Sequence, residues 1–340
     1  VYLRDSHGTN TLSTMGANQT GLFIGTAPKA TYRLCITEDA PTESPIEEAN
    51  WLVAAEYADS CGVDVISSSL GYTTFDNTAL SHTYADLNGK TTLITQAATI
   101  AARVGMLVVN SAGNDGAATW HYIGAPADAD SIISAGAVTA ALVRSSFSSY
   151  GPTADGRIKP DLAALGTSAA VISATGASVR SSGTSFSCPI LAGMAAGFWQ
   201  ANPTLTVQQV ISFLKRSGSQ ALNPDNSLGY GIPNFATAYN LANPTAPLAA
   251  LQATTLAALQ VYPNPSPGDD LTLDVPAELR NTALQVRFYD VRGALVAQQQ
   301  VSASAAPTVA LRPGPLRQGV YTCTVQSATA APRALRFVKL

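Results

Sequence analysis

Short runs of apolar residues with little polar interruption constrain this chain most. Residues 106–110 read Met-Leu-Val-Val-Asn and residues 132–138 read Ile-Ile-Ser-Ala-Gly-Ala-Val; residues 63–67, Val-Asp-Val-Ile-Ser, are a further short example. A strand with one wet face alternates polar and apolar side chains, so a run that does not alternate calls for cover on both faces. Helical spacing fills the gaps between these runs. Residues 46–61 place Trp51, Ala54, Ala55 and Ala58 on one face, and residues 93–104 make a second helix. A third, rich in small apolar residues, holds Ser185 to Pro189 in its first turn and ends at Asn202-Pro203. Pro189 is tolerated there because early helical N–H groups have no intrahelical acceptor. Residues 31–36 read as a further strand. The alternation predicts an α/β domain on a mostly parallel, doubly covered sheet. Chemistry on such sheets collects beyond the carboxyl ends of the strands. Two strand ends here run into polar loops, at Ser69 and at Asn114, and the cleft is expected between them.

At 340 residues and 46% apolar content, one large domain and a small one can both be filled. A net charge of −3 gives no reason to expect nucleic acid or an anionic membrane as a partner. No apolar run reaches the roughly 20 residues of a membrane span. The first six residues are not a signal peptide, and the expectation is that the sequence begins inside a larger precursor. Cys35, Cys61, Cys188 and Cys323 lack C-x-x-C spacing, which argues against zinc. Cys35 and Cys61 can pair as a disulfide, and Cys188 reads as a small buried hydrophobe rather than a nucleophile.

Ser185 follows Gly183-Thr184 at the start of the third helix, where its backbone N–H is free and the helix dipole is positive. Both properties suit a nucleophile that creates an oxyanion. Taken alone, such a serine is an N-cap. Two other segments change the balance: Ser6-His7-Gly8-Thr9, with a small-residue helical pattern behind it, and Ser111-Ala112-Gly113-Asn114. Together these three resemble the subtilisin-like serine peptidases, the subtilases, over about residues 1–240. The resemblance implies a three-layer subtilisin-like fold with Ser185 as nucleophile and His7 as general base. Asn114, with the Ser185 N–H, would hold the oxyanion. It further implies that Ser69-Leu70-Gly71 is the edge on which an extended protein or peptide substrate pairs. Residues 145–152 and 158–162 also resemble family segments, with Asp161 a structural loop anchor; Leu165 stands before Gly166 where the family has proline. The family's aspartate lies on a strand well upstream of the histidine. Asp5 is a poor substitute, so the resemblance implies a triad aspartate upstream of Val1 and weak activity without it. The alternatives are a catalytically inactive subtilase used as a binding module, or a surface adhesin. No cofactor is required for the chemistry, although structural calcium is possible; residues 86–89, Asp-Leu-Asn-Gly, read as a polar turn rather than a calcium loop. His82 and His121 read as packing or surface residues, with His121 close enough to the Asn114 loop to line the cleft.

The character changes after residue 241. Residues 242–259 are a nearly uncharged Ala, Thr, Pro and Leu linker, and residues 260–340 alternate at period two in short strands, which predicts a small β-sandwich. Four segments, at residues 261–265, 288–293, 316–321 and 337–340, stand in an order similar to the C-terminal sorting domain of proteins exported by the type IX secretion system of Bacteroidota. That resemblance implies the type IX machinery as a partner and an extracellular or outer-surface location. A sandwich that binds carbohydrate or protein is the competing reading.

Overall fold

The computed structural model describes residues 6–19, 21–245, 259–291, 293–327 and 333–340. Asp5, Arg292 and linker residues 246–258 lie outside this set. The chain divides into two units, Val1–Ala250 and Leu251–Leu340, each with its own core.

In the first unit the elements run α1 (His7–Gly16), β1 (Asn18–Gln19), β2 (Phe23–Ile24), α2 (Ile46–Ser60), β3 (Val65–Ser68), α3 (Leu93–Arg103), β4 (Leu107–Ser111) and β5 (Ile133–Val138). They continue through β6 (Leu162–Leu165), the hairpin β7 (Ala169–Ile172) and β8 (Ser178–Ser181), then α4 (Thr184–Ala201), α5 (Val207–Arg216) and α6 (Phe235–Ala242). The main sheet has the order β3-β4-β5-β6, with every pairing parallel. All of β4 and β5 is buried, because both faces are covered. Val108 faces a layer made with Trp51 and Ala55 of α2 and Ile94, Ala98 and Ala101 of α3. Leu107 and Val109 point the other way, into a layer with Leu191, Ala195 and Phe198 of α4, Val210 and Leu214 of α5, and Ala238 of α6. Fully burying a side chain such as Leu191 or Phe198 contributes about 1.5–3 kcal/mol, so this double cover is what holds the sheet.

Asp161 enters β6 as an anchor. Its carboxylate accepts the Ser134 N–H at 2.8 Å and the ammonium groups of Lys159 and Lys215 at 2.7 and 2.6 Å. Burial alone would raise this carboxyl, but the two ammonium charges outweigh it and hold it below the ordinary carboxylate range.

Residues 31–36 depart from expectation: they form no ladder, and Leu34 and Ile36 are each 58% exposed. A strand needs a partner, and among the described residues β3 pairs with β4 alone. The other edge of β3 faces an open cleft of about 2050 Å³, and residues 31–36 line that cleft without reaching the edge. Leu107 N–H bonds the Asp64 carbonyl, so by the alternation of a parallel ladder residues 64, 66 and 68 serve β4 while Val65 and Ser67 face outward. In hydrogen–deuterium exchange the Val65 and Ser67 amides are expected to exchange fast and those of Ile66 and Ser68 slowly. Equal protection at all four would mean that the edge is covered.

Carboxylates gather beside the cleft where residues 38–47 meet the loop after Tyr72. Glu47 accepts the Asp39 and Ser44 N–H groups, Asp76 accepts that of Glu43, and the Tyr72 hydroxyl donates to Glu38. Burial, then the charges of Glu47, Glu38 and Asp76, push the Glu43 carboxyl up from 4.5 to about 7. A carboxyl protonated in the fold and ionised when unfolded makes folding take up a proton. Its contribution is complete below about 4.5 and is lost as pH rises through 7. Melting temperatures should therefore carry a downward component between pH 5 and 7.5 that Glu43→Gln removes; an unchanged slope in that variant would contradict it.

The second unit is a sandwich of two antiparallel sheets over one core. Its strands are β9 (Val261–Tyr262), β10 (Leu271–Asp274), β11 (Leu284–Tyr289), β12 (Leu295–Val301), β13 (Thr308–Leu311), β14 (Gly319–Ser327) and β15 (Arg333–Lys339). One sheet is β13-β10-β9 and the other β12-β11-β14-β15. β11 shows the period-two logic directly: Leu284, Val286 and Phe288 are buried, and the residues between them are half-exposed.

Candidate active site

Ser185 is the second residue of α4, half-buried, at a helix start whose geometry is set by Gly183. Gly183 has φ +156°, and a Cβ there would stand 3.8 Å from the Asn114 side-chain nitrogen. That distance is ordinary contact, so it is the positive φ, which L side chains rarely adopt, that favours glycine here. Helix geometry leaves the Ser185 N–H without an intrahelical acceptor.

Asn114 lies beyond the carboxyl end of β4, as expected from the strand run into its polar loop. Its Oδ1 accepts the Thr184 N–H at 2.9 Å and the Thr184 hydroxyl at 3.1 Å. With Oδ1 engaged, the side-chain NH2 is the group left to serve a ligand. The Gly113 N–H also donates to the Thr184 hydroxyl, at 3.3 Å. Thr184 therefore orients Asn114, a role that sequence reading missed although the residue stands inside the Gly-Thr-Ser motif.

His7 opens α1, which packs on α4. Its ring meets that of Phe186 edge-on, with centroids 6.4 Å apart. The imidazole thus lies beside the residue that follows Ser185, and Asn114 is bonded to the residue that precedes it. The three distant segments come together around the start of α4.

Ser69 and Leu70 are half-buried and Gly71 is exposed. The Leu70 carbonyl accepts from Asn110 Nδ2 at 3.0 Å and Ser111 Oγ at 3.3 Å, and Tyr72 bridges to Ala125. The Ser69 hydroxyl donates to the Ser185 carbonyl at 2.9 Å. Pro189 is the sixth residue of α4, beyond the first turn. The sequence argument for its tolerance therefore fails: Pro189 deprives the Ser185 carbonyl of a donor, which Ser69 replaces.

Cys188 is fully buried; its thiol donates to the Val109 and Ser68 carbonyls, and burial pushes it up to about 12. It is packing, not a nucleophile. Cys35 and Cys61 are exposed free thiols rather than a disulfide. His82 pairs with the buried Glu48, and His121 stacks on Tyr150 at 4.9 Å. Asp86 caps Thr83 and Asn88 accepts the Lys90 N–H, so residues 86–89 form a polar turn.

The cleft beside β3 reaches this site. His7, Gly8 and Leu12 of α1, residues 65–71, and Ala192, Gly193, Ala196 and Gly197 of α4 all line it.

Comparison with known proteins identifies the family and the fold. Residues 2–231 match the profile of the subtilase family, and residues 260–334 match that of the secretion system C-terminal sorting domain. Subtilisin DY of Bacillus licheniformis is 32% identical over 235 residues, which cover 67% of this chain and 74% of that protein. Subtilisin E of Bacillus subtilis is 32% identical over 230 residues, covering 66% of this chain and 53% of its own length, so the chain spans about half of that relative. Among solved structures, the self-cleaved protease domain of PatA superposes with a TM-score of 0.57 at 23% identity, covering 69% of this chain and 82% of that one. MycP1 from Mycobacterium smegmatis gives 0.53 at 22%, covering 69% of each chain. These likenesses are to the fold.

Proposed function

The chain belongs to the subtilase family, and on that premise we propose that it is a serine endopeptidase with Ser185 as nucleophile, His7 as general base and Asn114 as oxyanion donor. The observation that carries this reading is the convergence of the His7 ring and the Asn114 amide on the two residues that flank Ser185. Ser185 Oγ attacks the substrate carbonyl carbon and passes its proton to the imidazole. The carbonyl oxygen becomes an oxyanion, held by the Asn114 NH2 and the Ser185 N–H. Collapse breaks the C–N bond, and the imidazolium returns the proton to the leaving amine. Water then repeats the sequence on the acyl-enzyme. Residues Ser69 to Gly71 provide the edge along which an extended peptide pairs.

The acid that orients His7 is proposed to lie on an extended strand seated against the open edge of β3. That edge supports the reading, because the cleft it faces is also lined by His7. Without that acid the site keeps its nucleophile and base but loses turnover; in subtilisin, of the same family, the loss is about 3 × 10⁴. The sorting domain supports export through the type IX system to the cell surface or beyond. Mixed with an unstructured polypeptide, the 340-residue chain is expected to release fragments slowly, and its Ser185→Ala variant none. Equal release by both would overturn the assignment.

A further inference from the structure

In an α-helix the N–H of residue i+4 bonds the carbonyl of residue i. Four residues after Ser185 stands Pro189, inside α4, with no N–H to give. The nucleophile's own carbonyl is therefore denied its helical donor and takes the Ser69 hydroxyl instead, at 2.9 Å. Two further contacts tie the same strand end to the same helical turn. The Cys188 thiol donates to the Ser68 carbonyl at 3.4 Å and lies 3.9 Å from Ser67 Oγ. Ser67, Ser68 and Ser69, at and just past the end of β3, thus contact Ser185 and Cys188, near the start of α4. The next residue, Leu70, is held through its carbonyl by Asn110 and Ser111, the last two residues of β4, whose loop carries Asn114.

We propose that Ser69 is a positioning residue for the nucleophile: its hydroxyl replaces the helical bond that Pro189 deletes and so fixes the Ser185 peptide by the sheet rather than by the helix. The inference rests on the reading of Ser185 as nucleophile. Its consequence is that Ser185 and the end of the strand leading to Asn114 are both tied to one brace, residues 67–70. Ser69 does this from within the substrate-pairing edge, so the same segment orders the nucleophile and receives the peptide.

The test compares the unaltered chain with Ser69→Ala, Ser69→Thr and the double variant Ser69→Ala/Pro189→Ala. Three quantities are read: the rate of labelling by a fluorophosphonate, deuterium uptake across residues 184–188, and the melting temperature. Ser69→Ala is expected to slow labelling about tenfold, the scale of one buried hydrogen bond, and to raise uptake in that turn with little change in melting. Ser69→Thr keeps the hydroxyl and should keep both properties. Pro189→Ala restores an N–H four residues after Ser185, so the double variant should recover both labelling and protection. Unchanged labelling and uptake in Ser69→Ala, or no recovery in the double variant, would overturn the proposal. If no chain labels, the nucleophile assignment falls; the uptake comparison still decides the brace, and identical uptake in all four chains rejects it.

Discussion

Replacing Ser185 by alanine is expected to lower kcat for peptide hydrolysis by about 2 × 10⁶ in the assembled enzyme, with KM nearly unchanged. That magnitude is the measured cost of losing the nucleophile in subtilisin, of the same family. The reasoning is geometric. Without the hydroxyl no acyl-enzyme forms, and the rate that survives comes from substrate alignment and oxyanion stabilisation alone. His7→Ala should cost a similar factor, because the base and the nucleophile act as one unit. The double variant should then be no slower than either single one. Steady-state kinetics on one ester and one amide substrate checks this, and additive losses would mean that the two residues act independently. The fold should survive all three changes, since Ser185 is only half-buried and His7 is exposed.

Asn114→Ala is the second large effect, a loss of about 10²–10³ in kcat with little change in KM. The amide acts on charge that develops in the transition state, so ground-state binding should hardly feel its removal. Its geometry is prepared in advance by Thr184, which occupies Oδ1 through both its N–H and its hydroxyl. Asn114→Asp should be worse than Asn114→Ala, because a carboxylate would be aimed at the developing oxyanion. Equal kcat in Asn114→Ala and the parent would remove Asn114 from the mechanism.

The features readable from sequence are those fixed by local chemistry. The apolar runs at β4 and β5 announced a sheet covered on both faces, and Ser69 and Asn114 were found by asking which strand ends turn polar. Ser185 was legible because Gly183, a proline and a small-residue helix frame it. What stayed hidden depends on partners far along the chain. Residues 31–36 have strand composition but no ladder, and composition cannot report that the neighbouring edge is open. β6, the four residues Leu162–Leu165, was absorbed into a segment singled out for Asp161. Thr206 and Gln209 form a capping box at the start of α5, a helix signal that is local in sequence. In the second unit β13 (Thr308–Leu311) turns only Val309 and Leu311 inward. The bond from Ser69 to Ser185 joins residues 116 apart, and no pattern in either segment encodes it.

The mapped site of a fluorophosphonate adduct tests the central claim most directly. Treated with the probe, digested and sequenced by mass spectrometry, the chain should carry the phosphonyl group on Ser185 alone. The Ser185→Ala chain should carry none, and labelling should slow sharply in His7→Ala. A tag on any other residue, or an adduct that persists after Ser185 is removed, would contradict the assignment of this hydroxyl as the attacking group.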